Sequence, residues 1–240
     1  MRQNIYDTKS FFSKYSQMNR SVKGLVAAGE WKTFEKMLPN FKGKRVLDLG
    51  CGFGWHCQYA IEHEASTVVG VDISEKMLNV AKQKTSKDIK YIKEPLEIVD
   101  FTESSFDIVI SSLAFHYLAS FEDIAGKVHS WLKQNGDFIF SVEHPVFTAF
   151  GTQDWYRDAE GKILHFPVDN YFVEGNRQAN FLGENVIKYH KTLTTYLNGL
   201  LKSGFEIIGV VEPQPSEELL EKMKDELRRP MMLIVSARKK

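Results

Sequence analysis

The sequence predicts an α/β fold: a Rossmann-like sheet of seven mostly parallel strands, helices on both faces, and an antiparallel last strand. Three observations carry this. From Lys44 to Glu143, short β-branched runs alternate with amphipathic segments, the pattern of a parallel sheet covered on both sides. The first run, RVLDLG, breaks into glycines at alternate positions, Gly50, Gly52 and Gly54. Two late runs, FEIIGVVEP and PMMLIVSARK, flank one helical segment, SEELLEKMKDEL, which suits an antiparallel edge.

Taken in order, the pattern up to about Asn40 is helical: FFSKY, then a second helix through GLVAAGEWKTFEKML, stopped by Pro39. RVLDLG is a buried strand and WHCQYAIEHE a helix. STVVGVD is a strand, and SEKMLNVAKQKT a helix with Ser74 as N-cap. DIKYIK and SFDIVISS are strands, FEDIAGKVHSWL a helix, and GDFIFSVE the fifth strand. After Glu143 the rhythm fails. His144 to Asn185 is rich in aromatics, Gly, Asp and Asn, too long for a structureless loop, and reads as an insertion with a short hairpin turning at Glu160–Gly161. A helix through YHKTLTTYLNGLLKSG follows, ended by Gly204.

The 240 residues fit a single domain: a helical cover over 1–42, a ligand-binding core over 43–143, a lid over 144–190 and the end of the sheet over 191–240. Lys+Arg and Asp+Glu stand equal at 31 each, so no net field draws nucleic acid or an anionic membrane. The start lacks the apolar core of a signal peptide, and no window approaches the ~20 apolar residues of a membrane helix. Cys51 and Cys57, with no matching Cys/His cluster, make neither a disulfide framework nor a zinc site. The expectation is a soluble cytoplasmic protein with no metal, monomeric or homodimeric.

The glycine loop limits the ligand. A dinucleotide fingerprint from Gly50 needs a third glycine at position 55, where Trp55 stands, and no Gly-Lys-Ser/Thr phosphate loop is present. Asp48, two residues before the first glycine, would repel a pyrophosphate but favour a ligand carrying an ammonium and a sulfonium. Asp72 ends the next strand about 20 residues on, where an acid can take both hydroxyls of a ribose. A nucleoside with a cationic, phosphate-free tail is S-adenosylmethionine.

VLDLGCGFGW, VVGVDIS and FDIVISSLAFHYL together resemble the motifs of class I S-adenosylmethionine-dependent methyltransferases, in the small-molecule, type 11-like group. The resemblance covers Gly43 to about Glu143 in order and spacing. It implies that Asp48, Gly50, Cys51, Gly52 and Gly54 hold the methionine part, Asp72 the ribose, and Ile73 flanks adenine. The family's acid and small residue after the third strand are replaced by Pro95–Leu96, so adenine would meet Leu96 and Glu97. Ser111 and Ser112 would face the methionine moiety. Tyr15 and Arg20 would fold back over the cofactor, Arg20 pairing with its carboxylate.

Methyl transfer from a sulfonium needs positioning and, where the acceptor carries a proton, a base. His116, just past the fourth strand, and Glu143 and His144, just past the fifth, are the candidate catalytic residues. His190, Trp155 and Tyr171 are candidates for the acceptor's binding site. Motifs for amino-group methylation of adenine or glutamine, and for a covalent cytosine mechanism, are absent. The expected activity is O- or N-methylation of a small molecule. An RNA methyltransferase, a non-catalytic protein holding the cofactor or its product, and an NAD-dependent oxidoreductase are the alternatives, in that order.

Overall fold

The structure is a computed structural model and describes residues 4–215, 221 and 223–240. Three short helices open it: α1 (Lys9–Ser16), α2 (Asn19–Lys23) and α3 (Trp31–Met37). The helix read across GLVAAGEWKTFEKML is two pieces, a 3-10 turn at Gly24–Ala27 and then α3. Gly24 ends α2 with a positive φ that suits only glycine, and the Trp55 indole packs 3.3 Å from where a Cβ would be.

The alternation then follows as read: β1 (Arg45–Leu49), α4 (Trp55–Glu62), β2 (Thr67–Asp72), α5 (Glu75–Lys84), β3 (Ile89–Lys93), β4 (Phe106–Ser112), α6 (Phe121–Trp131) and β5 (Leu132–Glu143). Ser74 caps α5, its hydroxyl accepting from the Met77 N–H at 3.1 Å, and Ser120 caps α6 through the Asp123 N–H.

The segment after β5 is more ordered than its composition suggested. It holds α7 (Pro145–Ala149), a hairpin of β6 (Tyr156–Arg157) and β7 (Ile163–His165), and a second hairpin of β8 (Gly175–Phe181) and β9 (Glu184–His190). The first hairpin turns at Asp158–Gly161, as expected. The second was not read. Its turn is Leu182–Gly183, both at positive φ, the geometry of a two-residue hairpin loop. His190 is accordingly the last residue of β9, not the start of a helix. Helix α8 (Leu193–Lys202) begins three residues later, capped by the Thr192 hydroxyl, which accepts from the Thr195 N–H.

Two strands complete the sheet, β10 (Phe205–Val211) and β11 (Met232–Lys239). Half of SEELLEKMKDEL lies outside the described residues, and Lys224–Arg228 form a 3-10 helix. The order is β10-β11-β5-β4-β1-β2-β3. Strand β11 runs antiparallel to both β5 and β10. The antiparallel strand therefore lies inside the sheet, where Leu233, Ile234, Val235 and Ala237 are buried, and β10 forms the edge.

Alternate residues of each strand pack on opposite faces. Leu47, Leu49, Val109, Phe138 and Phe140 join Phe121, Trp131 and Tyr196 from α6 and α8. Val46, Val68, Ile108 and Ile139 join Trp31, Phe34, Cys57 and Leu78 from α3, α4 and α5. Strand β1 pairs in parallel with β2 on one side and β4 on the other, so the chain leaves it in opposite directions. That divergence opens a crevice beyond the carboxyl ends of β1 and β4, where ligands bind in open α/β sheets.

Candidate active site

The loop after β1 lies on this crevice. Gly50 and Gly52 both have positive φ, and each is forced for a different reason. A Cβ on Gly50 would collide with the Ala114 methyl arriving from β4, whereas a Cβ on Gly52 would meet no protein atom within 4 Å. Gly52 instead borders a cavity of about 710 Å³. Asp72, at the end of β2, fixes the loop: its carboxylate accepts from the Gly52 N–H at 2.9 Å and from the Ser74 N–H at 2.8 Å. Burial pushes the Asp72 carboxyl up to about 6, against the lowering effect of those two backbone donors.

The N-terminal segment covers this end of the cavity. Asp7 anchors it on the start of α5, accepting from the Ser74 hydroxyl at 2.6 Å and the Lys76 N–H at 3.1 Å. A carboxylate at a helix N-terminus meets free N–H groups and the positive end of the dipole. Ile5, Tyr6, Tyr15, Met18 and Arg20 thereby reach the cavity wall. Arg20 donates to the buried Glu30 carboxylate at 3.0 Å. A side pocket of about 60 Å³ opens between Arg20 and Gly50. Two of its buried polar atoms, Ser21 Oγ and Trp55 Nε1, have no hydrogen-bond partner in the protein.

The other end of the cavity is walled by β5, the turn after β4 and the second hairpin. Glu143 is its polar centre. Its Oε1 accepts from the Lys188 ammonium at 2.6 Å, and its Oε2 from the Gln153 amide at 2.7 Å. Lys188 also donates to Gln153 Oε1 at 2.8 Å and lies 5.4 Å from the centre of the Phe181 ring. Burial pushes the Glu143 carboxyl up, but His116, Lys188 and Gln153 together outweigh it and hold it below its usual range. His116 lines the same end. Its Nδ1 accepts from the Glu143 backbone N–H at 3.4 Å, which puts the ring proton on Nε2. Burial drives its pKa down to about 4, the positive charges of Lys188 and Lys191 adding to this against Glu143.

Of the residues singled out in the sequence, Tyr15, Arg20, Gly50, Gly52, Asp72, Ile73, Leu96, Glu97, Ser112, His116 and Glu143 meet on this one cavity. Cys51 faces only the side pocket. The rest are elsewhere. Asp48, two residues after Val46, shares its face of the sheet, where Cys57 Sγ lies 3.3 Å away and burial pushes its carboxyl up to about 7. Gly54 is the left-handed start of α4, where a Cβ would collide with the Tyr91 hydroxyl. Ser111 is buried and donates to the Leu49 carbonyl at 2.7 Å. His144 caps α7, its Nδ1 accepting from the Val146 N–H at 3.0 Å, with Nε2 2.8 Å from Glu212.

His190 is buried between the Thr148 hydroxyl, at 2.7 Å, and the Tyr171 carbonyl, at 2.8 Å, and it ties the insertion together. Tyr171 accepts from the Leu193 N–H at the start of α8. Trp155 packs edge-on against Phe166, and with Phe147 the two rings surround the Arg229 guanidinium at 4.5–5.0 Å. These aromatics hold the protein's own arginine. Lys188, Gln153, Tyr6 and Tyr117 are the cavity residues that sequence reading passed over. The alternating ENVIKYH, with Val186, Lys188 and His190 all inward, was the available signal.

S-adenosylmethionine fits the β1–β2 end on these observations. The space over Gly52 is free of protein, a carboxylate stands at the end of β2, and the side pocket offers polar atoms that lack protein partners. A family model described as a methyltransferase domain matches residues 47–140. A crystal structure from Mesorhizobium loti of an S-adenosylmethionine-dependent methyltransferase is 43% identical, with TM-score 0.83, covering 90% of this chain and 100% of that one. One from Listeria monocytogenes, assigned to the same activity, is 57% identical, with TM-score 0.86, covering 90% of this chain and 99% of that one. An uncharacterised Haemophilus influenzae protein is 34% identical over 98% of this chain and 96% of its own length. The cofactor that the loop and Asp72 call for is the one this kinship carries: the chain belongs to the S-adenosylmethionine-dependent methyltransferases and is an enzyme of that family.

Proposed function

We propose that the enzyme methylates a small-molecule acceptor at oxygen or nitrogen, within one domain whose N-terminal segment covers the cofactor and whose 144–190 insertion covers the acceptor. One observation carries this reading: a single cavity of about 710 Å³ joins the glycine-loop end to the Glu143–His116 end. That volume suits a nucleoside cofactor beside a second small molecule. The insertion that walls it supplies Gln153, Phe181 and Lys188 to its lining.

In this reading Asp72 accepts from the ribose hydroxyls, and Arg20 faces the cofactor's α-carboxylate while Glu30 orients its guanidinium. The cofactor supplies an activated methyl group on a sulfonium. The acceptor's lone pair bonds the methyl carbon, and the carbon–sulfur electron pair stays on sulfur. The acceptor's proton leaves to Glu143, a carboxylate on the wall at that end. His116 acts as a donor through Nε2 rather than as the base, because its Nδ1 is taken by a backbone N–H. Closure by the insertion keeps water from the reacting atoms.

Calorimetric titration with S-adenosylmethionine, S-adenosylhomocysteine and NADH, beside the Asp72→Ala variant, tests the cofactor half. The first two should bind and lose at least tenfold in the variant, and NADH should not bind. Methyl label recovered in a small-molecule fraction supports the acceptor half. Label found only in RNA or protein would defeat it.

A further inference from the structure

The charge of the cavity limits which acceptors it can take. Among the described residues, its lining holds two cationic side chains, Arg20 and Lys188, against four carboxylates, Asp72, Glu97, Glu143 and Asp154. Neither cation is available to an anionic acceptor. Arg20 is paired with Glu30, whose side chain is 3% exposed, and it lies at the cofactor end. The Lys188 ammonium, also 3% exposed, has its three directions filled by Glu143, Gln153 and the Phe181 ring. A carboxylate or phosphate ester entering this end would lose its water and gain no counter-charge, which is costly in a buried site. An uncharged or basic group meets the opposite situation, with the Glu143 oxygens as acceptors and the His116 N–H as donor. Around them stand the apolar side chains of Leu118, Phe147, Val186 and Met232, with Thr152 and Asn180 as further uncharged polar groups.

Resting on the small-molecule reading above, we infer that the acceptor is a non-anionic molecule, an amine or neutral hydroxyl on a largely apolar body, and that the Glu143–Lys188 pair is what excludes anions. The pair does this by cancelling the only cationic side chain that lines the acceptor end among the described residues. Removing the carboxylate exposes that cation, and removing the cation exposes the carboxylate.

Four shape-matched probes separate the cases: phenethylamine, 2-phenylethanol, phenylacetate and phenyl phosphate. Each is titrated calorimetrically into the full-length protein saturated with S-adenosylhomocysteine. Wild type should bind the amine and the alcohol at least tenfold more tightly than the two anions. Glu143→Gln leaves Lys188 without its counter-charge and should bring phenylacetate and phenyl phosphate into the site, with affinity up by about tenfold or more. Lys188→Gln should shift affinity toward phenethylamine and serves if the first variant does not fold. Tighter binding of either anion by wild type overturns the inference. So does a folded Glu143→Gln protein that still refuses both anions, because the pair would then not be the reason. Failure of the underlying reading looks different: S-adenosylhomocysteine binds, and methyl label goes to RNA or protein.

Discussion

At the scale of single residues, two glycines two positions apart do different work. Gly50 and Gly52 share a left-handed backbone that costs an L-residue about 1 kcal/mol. Only Gly50 has the Ala114 methyl against it. Gly50→Ala should therefore lower the thermal midpoint, since strain and overpacking add to about 2–4 kcal/mol. Gly52→Ala should keep most of the stability and lose cofactor binding, because its new methyl enters the space over the loop. A thermal melt and a titration on each variant give the contrast, and equal stability losses in the two would contradict it. Asp72 adds a pH dependence. Burial holds its carboxyl at about 6, and only the ionised form offers two charged oxygens to the pair of ribose hydroxyls. Affinity for S-adenosylhomocysteine should be flat above about pH 7 and fall about tenfold per unit below pH 6. A flat profile down to pH 5 would remove Asp72 from that role.

Elements set the next level, and the insertion shows how. Its two hairpins add no strand to the main sheet. They are fastened instead by buried polar joints. His190 links Thr148 of α7 to the Tyr171 carbonyl, and Lys191 donates to the Leu118 and Tyr189 carbonyls. The aromatic cluster of Phe147, Trp155 and Phe166 closes on Arg229, whose guanidinium is paired with Glu226 at 2.6 Å. Arg229→Ala removes three cation–π contacts and a packed side-chain stem, a loss of about 2 kcal/mol local to this cluster. Hydrogen exchange should accelerate across residues 147–166 while β1, β4 and β5 stay protected. Uniform acceleration through the sheet would mean that the insertion and the sheet open as one unit.

For the molecule as a whole, buried titratable groups shape the response to acid. His116 is fully inside, and its pKa lies at about 4 against 6.5 for a free imidazole. A depressed pKa means that its neutral form contributes stability above pH 6.5, and this is lost as pH falls through about 4. His56, held at about 3 by burial and by Arg20, acts in the same direction. Asp48 and Asp72 act oppositely. Their raised values, about 7 and about 6, give stability below pH 3.8 that is lost as pH rises through those values. The two pairs offset each other between pH 6 and 4. His116→Asn removes one member of the balance. Relative to wild type, its stability should rise by about 1.4 kcal/mol per pH unit on acidification from 6.5 to 4. Denaturant titrations across that range measure it, and parallel curves would show that His116 is not buried as a neutral ring.

Which of these features the residues reveal by themselves depends on how local their causes are. The β-branched runs, the caps at Ser74 and the broken glycine pattern act within a few residues, so the sheet, its helices and the loop that meets the cofactor could be read directly. Asp72 could be placed because a strand ends where its run ends. Asp48 could not, since the alternation that turns it beneath the sheet is decided by packing against Cys57. His144, just past a strand, and His190, read at a helix start, looked like site residues because an imidazole has no visible partner in one dimension. The folded chain supplies those partners, at Val146, Thr148 and Tyr171. Lys188 is the reverse case. A lysine in an alternating stretch reads as surface, and only the meeting of β9 with the end of β5, 45 residues away in sequence, buries its charge against Glu143. Local chemistry determined the fold and the donor of the methyl group. The surroundings proposed for the acceptor come from contacts between distant segments, and only the tertiary structure decided them.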